Sequence, residues 1–125
     1  MTEMSASTSS QAAAAPKPGT EIRRLLTGLR LSLSISVAAS LGVADALAGG
    51  PRSIDDLAST LGCDTTALYR LLRALAAAGI LHEDAERRFT LTELGEALRS
   101  DVEGSAHEQA ILFGRPYVVA AWGNL

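Results

Sequence analysis

Apolar positions recur at intervals of three and four along the first half of the chain: Ile22, Leu26, Leu29, Leu33, Val37 and Leu41. That spacing lays one apolar stripe along an α-helix and predicts one or two helices over 21–48. Inside it, LSLSISV at 31–37 alternates strictly, which is the period of a strand. The stripe runs on beyond both ends of the alternation and no turn residue bounds it, so helix is favoured over strand there. Gly42 allows a bend before a short second helix, and Gly49-Gly50-Pro51 is a helix stop.

The next two segments carry start signals as well as stripes. Ser53 with Asp56 has the spacing of a capping box, and Ile54, Leu57, Ala58 and Leu61 form an inner face. Gly62 permits a turn, Asp64 caps a further helix, and Leu68, Leu71, Leu72 and Leu75 follow at helical spacing up to Gly79. Ile80, Leu81, Phe89 and Leu91 then bracket a charged tip, EDAERR, as in a β-hairpin. Thr90 or Thr92 caps another helix over TELGEALRS, 101–106 is a loop, and 107–125 resumes a helical pattern broken by Gly114 and Pro116. The expected fold is mostly α. It is a winged helix-turn-helix with a short β-hairpin wing and extra N- and C-terminal helices. Residues 1–20, rich in Ser, Thr and Ala with Pro16 and Pro18, are expected to be a disordered tail. The winged-helix domain spans 21–100, and 101–125 begins a set of linker helices.

Composition narrows the function. Aromatics are only 4% of 125 residues, so the core must come from aliphatic side chains. The formal net charge is −3, and residues 50–100 hold six arginines against eight acids. Surfaces that bind duplexes are usually basic, because phosphate neutralisation supplies most of their affinity. Arg70 and Arg73, on the outer face of 65–78, have chemistry suited to guanine. In this acidic setting they read better as structural ion pairs to Asp45, Asp55 or Asp56, and nucleic acid is disfavoured as a partner. A single cysteine, Cys63, allows neither an internal disulfide nor a zinc site, and it reads as a small filler at a bend. The most apolar window, 31–44, is too short for a bilayer, so no membrane partner is expected. A cytoplasmic location is the default.

Five blocks in order carry a family resemblance: LGVADAL (41–47), GPRSIDDLASTLG (50–62), LYRLLRALAAAGIL (68–81), FTLTELGEALRS (89–100) and RPYVVAAWGNL (115–125). Together they resemble the N-terminal winged-helix dimerisation domain of small-molecule S-adenosylmethionine-dependent O-methyltransferases, the group with bacterial polyketide-tailoring and plant phenolic and acetylserotonin enzymes. The resemblance implies a homodimer and a share in a pocket for a small aromatic or polyketide-like acceptor, formed only together with a catalytic domain. It also implies that S-adenosylmethionine binds in that separate α/β domain. Its strand and glycine-rich turn are not found in these residues, so the chain alone is expected to be inactive, as a fragment or one part of a split enzyme. The alternative is a winged-helix transcription regulator.

The candidate residues follow from these readings. Leu26, Leu29, Leu33, Val37 and Leu41 exceed what a small core needs and are expected at a dimer interface. Phe113, Tyr117 and Trp122, three of the five aromatics, are candidates for lining the acceptor pocket, with packing against a further domain as the plainer use. No catalytic, cofactor-binding or metal-ligating residue is assigned. His82 reads as a strand-edge residue and His107 as a helix-start residue.

Overall fold

The computed structural model describes residues 15–124. The tail expected over 1–20 falls mostly outside the described residues, and its last three positions open the first helix instead. Pro18 starts α1 (Pro18–Leu26), where a missing N–H costs nothing. After Thr27 the chain continues as α2 (Gly28–Leu41). Thr27 keeps αR backbone, φ −73° and ψ −9°, so α1 and α2 are nearly one helix.

The alternating stretch 31–37 is helical. Two of its three serines find carbonyl partners for their hydroxyls, so they sit in the helix without interrupting it. Ser34 Oγ donates to the Arg30 carbonyl at 2.8 Å, one turn back. Ser36 Oγ points across to the Ile111 carbonyl at 3.4 Å. The inner face of α2 carries Ser36, Ala38 and Ala39, all buried, so a neighbouring helix can come close.

Gly42 ends α2 in the left-handed region, φ 81°, a conformation glycine adopts without penalty. The short α3 (Val43–Ala46) follows. Residues Arg52–Ser53 form β1, and then α4 (Ile54–Leu61) and α5 (Thr65–Ala77) make the helix-turn-helix. Both helices are capped as their sequences dictate. Ser53 Oγ accepts from the Asp56 N–H at 3.1 Å, and Asp64 Oδ2 accepts from the Ala67 N–H at 2.9 Å. The wing is β2 (Leu81–Glu83) and β3 (Arg88–Leu91). The antiparallel sheet has the order β1-β3-β2, with Arg52 opposite Phe89 and Leu81 opposite Leu91. A third strand was not expected from the sequence, since two residues are too few to show alternation.

The helix expected over TELGEALRS is shorter than its pattern. Only α6 (Glu93–Glu96) is α-helical; Leu98 and Arg99 close tighter turns onto the carbonyls of Gly95 and Glu96. Gly95 is required there, because a Cβ at this position would overlap the Ile80 carbonyl oxygen. The chain ends in α7 (His107–Phe113) and α8 (Pro116–Gly123), separated at Gly114 and Arg115.

The core gathers α2–α5 and the wing around Phe89, Leu57, Leu72, Leu75 and Val43, all fully buried. Each such side chain contributes roughly 1.5–3 kcal/mol relative to exposure. Cys63 is half-buried against this cluster, its Sγ 3.6 Å from the Leu61 carbonyl.

Candidate association face and aromatic groove

The wing arginines are committed to local contacts. Tyr69 of α5 donates its hydroxyl to Glu83 Oε2 of β2 at 2.8 Å. Arg73 Nη1 reaches Glu83 Oε1 at 3.3 Å and Tyr69 Oη at 3.4 Å. Its guanidinium also lies 5.9 Å from the Tyr69 ring centre, and that of Arg87 lies 5.4 Å from the same ring. Arg88 pairs with Asp84 at 2.9 Å. Arg73 therefore ties helix to wing, and not helix to helix as its expected partners required. Two of those three acids serve elsewhere: Asp45 accepts from Ser100, and Asp56 pairs with Arg52 at 2.7 Å. Arg70 is exposed and makes no ion pair among the described residues, which corrects the bracing role expected for it. His82 is exposed on β2, and His107 starts α7 with Nδ1 3.3 Å from the Leu98 carbonyl.

The face of α1 and the start of α2 is apolar. Leu26, Leu29 and Val37 are exposed at 71%, 59% and 48%, while Leu33 and Leu41 are half-buried. Leu41 also packs against the domain's own core, so the stripe is freest toward α1. Ile22 and Leu25 extend it. Length bears on the membrane question too. The helical run Pro18–Leu41 has 24 residues and a window of mean hydropathy 1.2, enough by length and composition to cross a bilayer. The window judged too short in the sequence is thus part of a longer helix. Its far end is built into the protein core through Ser36, Ala38 and Ala39, and insertion would have to pull these out.

Beside the stripe, α2 and the C-terminal helices enclose a groove of about 580 Å³ lined by Leu29, Ser32, Phe113, Val118, Val119 and Trp122. Two of the three expected pocket aromatics, Phe113 and Trp122, meet there. Tyr117 does not line it and stands 67% exposed on α8. The groove exists because α7 packs closely on α2. A Cβ on Gly114 would collide with Ser36 Oγ, so glycine sets how near the two helices lie. No sequence period signals that contact, since Ser36 and Gly114 are far apart in the chain.

A winged helix with Arg73, Arg87 and Arg88 held in local contacts and a helical face of bare leucine has the surface of an association domain. The comparisons make the class specific: the family described as the O-methyltransferase dimerisation domain matches residues 23–101, and the chain belongs to that family. An O-methyltransferase of Streptomyces lavendulae, SfmM3, is 45% identical over 104 residues, which is 83% of this chain and 31% of that protein. The crystal structure of the N,N-8-amino-8-demethyl-D-riboflavin dimethyltransferase RosA from Streptomyces davawensis superposes with a TM-score of 0.80 at 35% identity. It covers 86% of this chain and 32% of that one. The O-methyltransferase NcsB1 of neocarzinostatin biosynthesis was crystallised with S-adenosyl-L-homocysteine and 1,4-dihydroxy-2-naphthoic acid. It gives a TM-score of 0.64 at 39% identity over 68% of this chain and 26% of that one. The chain thus spans about a third of the length of such relatives.

Proposed function

We propose that this domain joins two copies of its chain through the face of α1 and α2, and that α2, α7 and α8 supply one wall of an acceptor pocket. The reaction served is methyl transfer from S-adenosylmethionine to a small aromatic or polyketide-like acceptor, with donor and catalytic base held outside these residues. A soluble, cytoplasmic setting goes with this reading. The observation that carries it is the exposed leucine stripe on a chain of the dimerisation family. Contiguous apolar surface of this kind is normal at an obligate homodimer interface and unusual on a free monomer. The acceptor class is supported by the groove, whose volume falls in the range of small-molecule sites and whose aromatics suit a flat ring. RosA and NcsB1 are associated with fused-ring molecules by name and by bound ligand.

Analytical ultracentrifugation tests the association. The wild-type chain is expected to sediment as a dimer at tens of micromolar. Leu26→Asp should give a folded monomer, because Leu26 is 71% exposed within one copy and its loss costs the monomer core little. A wild-type chain that stays monomeric at that concentration would sink the reading.

A further inference from the structure

We propose that Phe113 is a partition that limits how far an aromatic ligand extends along α2, and is therefore a specificity-determining residue of the acceptor wall. This rests on the acceptor reading above. Two apolar hollows lie on α2 and share two residues, Ser32 and Phe113. The larger, about 580 Å³, is lined by Leu29 and Trp122 among others. The smaller, about 200 Å³, lies against Ile35, Leu98, Ala106, Gln109 and Ala110. Leu29 and Ile35 are separated by about 9 Å of helix rise, so the hollows follow one another along α2. Phe113 lines both hollows and so marks where they meet.

Its position is fixed by its neighbour. Gly114 lies so close to Ser36 that no side chain fits between them, and Phe113 is the last residue of α7 before that contact. The backbone that carries the ring cannot shift along α2 without breaking it. A hollow of about 150 Å³ suffices for one benzene ring, so the smaller space admits a single further ring once the partition is removed. Its lining is almost wholly apolar, which suits the added phenyl ring. In the wild-type chain, a fused bicyclic acceptor fills the larger hollow, and an aryl group added toward Phe113 meets the ring.

The test compares 1,4-dihydroxy-2-naphthoic acid with its phenyl ester. Binding is read from quenching of Trp122, the chain's one tryptophan, and by calorimetry. The wild-type chain should bind the acid more tightly than the ester. Phe113→Ala should gain about tenfold for the ester, the worth of partly burying one ring, with a smaller change for the acid. Phe113→Leu should fall between. Phe113 is 51% exposed, so both variants should keep the wild-type circular dichroism melt. Wild-type binding of the acid with no gain for the ester in either variant overturns the partition and leaves the acceptor reading standing. Equal wild-type affinity for acid and ester does the same. Failure of both probes to bind any of the three proteins up to millimolar concentration overturns the partition, since Phe113 then borders no ligand site in this chain, and leaves standing the acceptor reading, in which a catalytic domain completes the pocket.

Discussion

Asp45 joins two segments 55 residues apart. Its Oδ1 accepts the Ser100 N–H at 2.9 Å and its Oδ2 accepts the Ser100 hydroxyl at 2.7 Å. These bonds, the hydroxyl first, with a smaller contribution from the nearby His107 charge, hold the carboxyl below its ordinary value. A depressed folded pKa contributes stability above the unfolded pKa, about 3.9, and loses it as pH falls through the folded one. Asp45 is solvent-exposed, so screening limits the effect to on the order of 1 kcal/mol. Asp45→Asn should therefore unfold earlier in urea at pH 7, by a margin that is smaller at pH 2.5. An equal loss at both values would refute the linkage. The N-caps of α4 and α5 lie within three residues of their partners and can be read from the sequence. Ser100 lies far from Asp45 in the chain, and for that reason Asp45 looked available to Arg70.

Elements meet where small residues permit. The crossing of α2 and α7 depends on Ser36 and Gly114, and that of α6 on the wing depends on Gly95. Gly114→Ala forces Ser36 aside and should cost about 1–3 kcal/mol, as overpacked cores do. On a domain of this size that is a fall of very roughly 4–8 °C per kcal/mol in the melting temperature. Ser36→Gly should restore most of the loss in the double variant, after its own helix cost of about 1 kcal/mol. Simple additivity of the two changes in a thermal melt would show that the contact does not set the crossing. The helices of the winged unit were legible because leucine spacing, caps and glycine stops agreed with one another. The strand β1 and the shortness of α6 were not, since both are imposed by pairing with β3 and by the close approach to Ile80. Tyr117 was grouped with Phe113 and Trp122 by proximity in sequence. The turn at Gly114 and Arg115 separates the helices, and the phase of α8 leaves Tyr117 outside the groove.

At the scale of the whole molecule, the α1–α2 run is held at one end only. Ser36, Ala38 and Ala39 are buried in the domain, while residues 22–31 are exposed throughout. Mechanically this is a cantilever, clamped near residue 36 and free for about 20 Å toward Pro18. A free span of helix frays unless something presses along it. Amide hydrogen exchange should therefore divide the helix in two. Protection at 36–41 should be independent of protein concentration, whereas protection at 20–31 should rise as copies pair and brace each other's beams. Uniform, concentration-independent protection from 20 to 41 would mean that the beam is rigid by itself. If the division is found, the domain's stiffness belongs to the pair, and a chain expressed too sparsely to meet its partner would have a slack arm in place of a pocket wall.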